Sequence, residues 1–120
     1  IIWNKNKLLI TKRKADGFLG GLWEFPGGKI KVNENVETAI MREIKEELSI
    51  YIEPKLIFNQ IDHQYSHFSV TIQAVSCRYK SGNIKLNGPV DFKWVEVANL
   101  RSYAFPKAST KLFNSIETLL

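Results

Sequence analysis

Residues 26–50 read PGGKIKVNENVETAIMREIKEELSI, and the fold turns on them. Between Val36 and Leu48 the apolar residues Val36, Ala39, Ile40, Ile44 and Leu48 recur at helical spacing behind Asn35, a good N-cap, so the stretch predicts a helix over 36–48. Ahead of it, Pro26-Gly27-Gly28 forces a sharp turn. At about 100° per residue, Glu43, Glu46 and Glu47 project from one side of this helix. The apolar stripe centres near Ile40, with Glu47 about 20° and Glu43 about 60° from that centre. Burying an unpaired carboxylate is costly, and neighbouring carboxylates repel one another, so the arrangement needs compensation. A divalent cation supplies it. Hard oxygen donors on one face suit Mg²⁺ or Mn²⁺, which in turn suit a phosphate-bearing substrate. Taken alone, a Glu-x-x-Glu-Glu group reads more readily as a solvated face at a fraying helix end, with Arg42 and Lys45 as surface partners.

Outward from the helix, Ile1–Trp3 and Lys7–Thr11 flank Asn4-Lys5-Asn6 as two strands of a hairpin. Lys14 to Leu22 is a loop holding Asp16-Gly17 and Gly20-Gly21, and Trp23-Glu24-Phe25 is a short extended piece. Beyond the helix, Glu53-Pro54 ends the region, and Lys55–His63 and Phe68–Tyr79 read as two strands. In the second, the apolar positions change phase, which predicts a β-bulge near Ala74-Val75. A strand over Val90–Val97 and an amphipathic helix over Lys107–Leu120 close the chain. Strands interleaved with two helices imply a sheet covered on its faces by helices. Trp3, Trp94, Phe113 and Cys77 read as core. Trp23 and Phe105, beside glycine- and proline-rich loops, are candidates for stacking on a base.

The 120 residues hold 44% hydrophobic and 24% charged residues, enough for one domain and too few for a second of ordinary size. One cysteine excludes an intramolecular disulfide framework, and no apolar run reaches the roughly 18 residues of a membrane span, so a cytoplasmic setting is the default. The formal charge of +5 favours polyanionic partners and is unevenly spread. Residues 34 to 53 carry a net −4 and the remaining hundred a net +9, an acidic patch within a basic shell. The opening Ile1-Ile2-Trp3 reads as entry in mid-strand, so the expectation is a single domain over 1–120 lacking the beginning of its first strand. Nothing in the composition bears on oligomeric state.

Gly28 is followed after five residues by Glu34, after seven more by Arg42-Glu43, and then by Ile44-Lys45-Glu46-Glu47-Leu48-Ser49-Ile50. This resembles the Nudix box: Gly, five residues, Glu, seven residues, Arg-Glu, an aliphatic, any residue, Glu-Glu, any residue, Gly, an aliphatic. Only the final Gly departs, replaced by Ser49 just past the helix end, where a left-handed conformation is often wanted and the loss threatens about 1 kcal/mol. The resemblance implies the Nudix fold, an α/β (α+β) domain with a mixed β-sheet sandwiched between helices. It also implies hydrolysis of a nucleoside diphosphate linked to another moiety, with water and Mg²⁺ or Mn²⁺. Carried over by position, Glu43, Glu46, Glu47 and the Gly27 carbonyl would bind the metal, and one carboxylate, Glu43 foremost, would help activate water. Gly27-Gly28 lets backbone approach a metal or phosphate closely, because no side chain intervenes. Arg42, on the wheel, lies away from Glu46-Glu47, which suits a structural salt bridge to Glu34.

Leu9-Ile10-Thr11-Lys12-Arg13 and Leu22-Trp23-Glu24-Phe25-Pro26-Gly27-Gly28-Lys29 extend the resemblance to the MutT-type 8-oxo-dGTP diphosphatase branch. By that similarity Arg13, Phe25 and Ser109 border the nucleobase of a nucleotide substrate, and Lys29 and Ser66 join the substrate-contacting set. Ser109 stands where the branch has Asn, which loosens purine selectivity. Asn87 lies where the branch has a further acidic metal ligand, with Asp91 the nearest carboxylate. His63-Gln64-Tyr65-Ser66-His67-Phe68 and Tyr103-Ala104-Phe105-Pro106-Lys107 are similar instead to the C-terminal domain of A/G-specific adenine glycosylase, the MutY type. That likeness implies recognition of 8-oxoguanine in DNA. Ser66 and His67 are then either a base-recognition loop or a hairpin turn satisfying local backbone. An intact box on a free enzyme and a lesion-binding module both remain open, as does a Nudix enzyme for a nucleotide sugar.

Overall fold

The computed structural model describes residues 1–120. Strands β1 (Ile2–Asn4) and β2 (Lys7–Lys12) form the expected hairpin, turning at Lys5 and Asn6 with Lys5 at φ 59°. β2 sits inside the sheet. Along one edge it pairs antiparallel with β1 at Trp3↔Leu8 and with β3 (Trp23–Glu24) at Thr11↔Glu24. Along the other it pairs with β6 (Asp91–Glu96) over its whole length. β1 joins β5 (Ser69–Ser81) in parallel at Ile2↔Cys77, and β5 pairs antiparallel with β4 (Tyr51–Gln64), which forms the far edge. The single parallel pair makes the sheet mixed, as expected.

Alternation along β2 sends Leu8 and Ile10 to one face and Leu9 to the other, and all three are fully buried because both faces are covered. On the Leu9 side, α1 (Val36–Leu48) packs Ile44 and Leu48 against Ile2, Val75 and Cys77. On the opposite side a 3₁₀ turn (Val97–Ser102) and two short helices, α2 (Lys107–Thr110) and α3 (Phe113–Glu117), bring Leu100, Leu112, Phe113 and Ile116 onto Leu8, Ile10 and Val95. The sheet is thus sandwiched between helices. No helix is long and apolar enough to cross a membrane.

Three expectations need correction. Glu53-Pro54 does not separate elements, because β4 runs through it with Pro54 opposite Cys77. An edge strand tolerates a residue that cannot donate, and the register slips by Lys55 just after it. The bulge at Ala74-Val75 exists, but the extra residue is Phe58 on β4, between the pairs Ile57↔Val75 and Asn59↔Ala74. The change of apolar phase has a separate cause: Ala74 faces one core and Val75 the other. The closing helix is broken at Lys111-Leu112. There the Leu112 N–H bonds the Ser109 carbonyl in a 3₁₀ step, and the Thr110 hydroxyl takes the Lys107 carbonyl. The predicted apolar face survives the break, since Leu112, Phe113 and Ile116 are all buried.

α1 matches its predicted bounds. The Asn35 side chain accepts from the Thr38 N–H at 2.8 Å, and Ser49 ends the helix at φ 59°, ψ 28°. A side chain is strained in that left-handed region, where glycine is not. Ser49→Gly is therefore expected to stabilise the protein by about 0.5–1 kcal/mol, after allowing for glycine's freer unfolded state. A higher urea midpoint at unchanged m-value is the readout; an unmoved midpoint would show that Ser49 carries no strain.

Candidate active site

Two local structures converge at the N-terminal turn Pro26–Gly28 and the solvent side of α1. The Trp23 N–H donates to the Ala104 carbonyl at 2.8 Å, tying β3 to the segment before α2. Phe25 then stacks on Phe105 with ring centroids 4.9 Å apart, and Phe105 meets Phe113 edge-on at 5.2 Å. These contacts fix one wall of a cleft of about 830 Å³ that is lined by Arg13, Phe25, Gly27, Gly28, Lys29 and Ser109, all expected at the site. Glu24 also lines it, and its carboxylate holds Arg13 at 3.0 Å.

Arg42 organises the carboxylates. Its Nε and Nη2 donate to the two oxygens of Glu34 at 2.6 and 2.9 Å, and Nη2 also donates to the Lys29 carbonyl at 3.0 Å. This is the expected salt bridge, and it binds the loop before α1 to the helix. Arg42 does not stay away from the other acids, however. Its Nη1 reaches Glu43 Oε1 at 2.9 Å and Glu46 Oε2 at 3.2 Å. The expected separation was wrong on the wheel itself, where Arg42 and its i+4 neighbour Glu46 lie only about 40° apart on one face. Arg42 holds the Glu34 carboxyl down at about 2, helped by the Lys31 N–H, and the carboxylates in turn raise the Arg42 guanidinium.

Glu47 lies in a different environment. Burial, followed by the negative charges of Glu24 and Glu43, pushes its carboxyl up to about 7. Gly28 approaches α1 so closely that a Cβ there would collide with the Glu43 carboxyl. The donor set therefore fits a hard cation: oxygen ligands, mutual repulsion, and a glycine that leaves room for the carboxyl group. No three His, Cys, Asp or Glu side chains form a ready-made cage, and Arg42 supplies the positive charge between Glu43 and Glu46. None of the three glutamates is part of the cleft's lining; Glu43 meets it through Gly28 and Glu47 through the charge of Glu24.

Other expected residues stand elsewhere. Ser66 is at the exposed tip of the β4–β5 turn, closed by the Tyr65 N–H on the Phe68 carbonyl at 2.7 Å, and does not line the cleft. Its neighbours Tyr65 and Phe68 do, each with its ring against Phe18 of the glycine-rich loop at 5.3 and 5.1 Å. Trp23 is buried, edge-on to Tyr103, and Phe105 faces Phe25, so neither presents a free face for a base. His63 is half-buried, paired with Lys111 at 2.7 Å, and Cys77 is core, its thiol pushed up by burial. Asp91 bonds its neighbour's N–H, on Phe92. Asn87, roughly where the resembled branch has a further acidic ligand, donates its side-chain amide to the Glu46 carbonyl at 3.1 Å. Glu24 was legible as a charge inside an apolar strand, a signal the extended reading passed over.

The model of the family described as NUDIX domain matches residues 1–115. The 8-oxo-dGTP diphosphatase of Buchnera aphidicola subsp. Schizaphis graminum (strain Sg) is 31% identical over 120 residues, spanning all of this chain and 91% of that protein. The 8-oxo-dGTP diphosphatase of Escherichia coli (strain K12) is 28% identical, spanning 99% of this chain and 93% of its own length. Among solved structures, the E. coli ORF135 protein superposes with a TM-score of 0.83 at 24% identity, over 99% of this chain and 85% of that one.

Proposed function

The chain belongs to the NUDIX family, and from that premise we propose a Mg²⁺-dependent cytoplasmic enzyme that hydrolyses nucleoside triphosphates, 8-oxo-dGTP foremost, to monophosphate and pyrophosphate. The observation that carries the reading is the carboxylate set of α1, brought by Gly28 to the edge of a cleft with an arginine and an aromatic wall. Similarity to two 8-oxo-dGTP diphosphatases across nearly the full chain supports the substrate class. Family members use a divalent cation. Here Glu43, Glu46, Glu47 and the Gly27 carbonyl would hold it, and when bound it lowers the pKa of water and neutralises charge on phosphoryl oxygens.

The chain's own groups divide the remaining work. Arg42 occupies Glu43 Oε1, leaving Oε2 to accept the proton of the attacking water as its oxygen bonds phosphorus and pyrophosphate leaves. Arg13, oriented by Glu24, presents positive charge to the substrate, and Phe25 and Ser109 border the base. The basic shell of net +9 draws a polyanion toward the acidic patch.

Purified protein with Mg²⁺ should hydrolyse 8-oxo-dGTP within a panel of nucleoside triphosphates and nucleotide sugars, with pyrophosphate as co-product. Silence across the whole panel would sink the reading; preference for a sugar nucleotide would move it to another Nudix class. The second reading, a domain that recognises 8-oxoguanine in DNA, draws on the aromatic hairpin at Tyr65–Phe68 beside the cleft. Tight, steeply salt-dependent binding to duplex containing 8-oxoguanine, without turnover, would favour it.

A further inference from the structure

A helix leaves its last four carbonyls without intrahelical partners, and in α1 those belong to Lys45, Glu46, Glu47 and Leu48, the turn that carries two of the site's carboxylates. All four are satisfied. The Ser49 N–H bonds the Lys45 carbonyl at 3.0 Å. The other three donors come from one distant strap between β5 and β6: the Asn87 side-chain amide to Glu46 at 3.1 Å, the Asn87 N–H to Glu47 at 2.8 Å, and the Lys85 N–H to Leu48 at 3.0 Å.

The strap can lie this close because it leaves β5 through Gly82, at φ 103°. A Cβ on Gly82 would stand 3.0 Å from the Ser49 carbonyl oxygen and 3.1 Å from the Ile50 Cα. Electrostatics make the attachment necessary. Carboxylates in a last helical turn add to the negative end of the helix dipole, so Glu46 and Glu47 favour unwinding of the turn that displays them. N–H donors on the carbonyls oppose that, and a neutral amide at 87 does so without adding further negative charge.

We propose that Asn87 is a positioning residue: by bonding the carbonyls of both Glu46 and Glu47, it holds the last turn of α1 in the geometry in which the carboxylates act together on a divalent cation. The inference rests on the reading of those glutamates as cation ligands. The side-chain bond is the part a mutation can remove, since the backbone bonds from 85 and 87 persist.

The test is Mn²⁺ titration followed by electron paramagnetic resonance, on the full chain without nucleotide, together with steady-state kinetics. Asn87→Ala should weaken Mn²⁺ binding about tenfold and lower kcat about tenfold, with KM within twofold of the parent and an unchanged circular dichroism spectrum. Asn87→Leu, which keeps the branched outline but has no donor, should do the same and serves if the alanine variant folds poorly. A lower melting temperature with Mn²⁺ affinity and kcat both within twofold of the parent would reduce Asn87 to a structural cap and overturn the proposal. Glu46→Gln and Glu47→Gln in parallel test the underlying reading: if neither weakens Mn²⁺ binding, it is the assignment of the glutamates that fails, whatever Asn87 does.

Discussion

Glu47→Gln protein is expected to turn over nucleotide with a kcat roughly 10²–10⁴-fold below the parent, at similar KM and with the fold intact. The substitution is isosteric, so the packing around Ile44 and Leu48 on the same helix is untouched. It removes one negative oxygen from a set whose neighbours are already committed: Arg42 engages Glu43 and Glu46, whereas no ion pair engages Glu47. A carboxylate left half-buried without a cationic partner is a liability that a purely structural role would not retain. Steady-state kinetics in Mg²⁺ with circular dichroism as control decide the matter, and a kcat within threefold of the parent would remove Glu47 from the machinery.

The same variant should be more stable than the parent above neutral pH. In the unfolded chain the Glu47 carboxyl releases its proton near 4.5, but in the folded protein only near 7. Between those values the folded state holds the extra proton, so metal-free stability falls as the pH rises through that window and stays low above it. Taken at face value the shift exceeds 3 kcal/mol; solvent screening of a half-exposed group reduces this to about 1–2 kcal/mol. Urea unfolding in the presence of chelator, at pH 5 and at pH 8, should show the parent losing that amount and Glu47→Gln losing markedly less. Parallel pH profiles for the two proteins would place the cost elsewhere. Glu34 works in the opposite sense: its carboxyl, held near 2 by Arg42, contributes stability that is present above about 4.5 and lost on acidification.

What could be read in advance depended on whether the cause was local. The helix from Val36 to Leu48, its Asn35 cap and the left-handed Ser49 follow from residues within one turn of each other, and each is where it was expected. The spacing from Gly28 to Glu47 likewise encodes a loop folded back on a helix, so the Arg42–Glu34 pair was implicit in it, whereas the close neighbour of Gly28, expected to be a metal or phosphate, is the Glu43 carboxyl. Failures came where distant chain decides. Whether Pro54 interrupts a strand depends on its lying at the sheet's edge, and Trp23 is buried because the segment at Ala104 covers it. Glu24 and Asn87 take their roles from Arg13 and from the carbonyls of α1, partners 11 and 41 residues away, which no periodicity announces.

Strand β4 has a further consequence, for solubility. A long edge strand presents a row of free backbone donors and acceptors on which another chain can template, and Tyr51, Leu56 and Ile57 are exposed along this one. Pro54 breaks the row of donors, the extra residues at Lys55 and Phe58 twist the edge out of register, and Glu53 carries its charge beside them, paired to Lys55 and Arg78. The irregularity that hid the first residues of this strand, Tyr51 to Pro54, from sequence reading is thus a guard against edge-to-edge growth of the sheet into fibrils, placed where the apolar side chains would otherwise invite it.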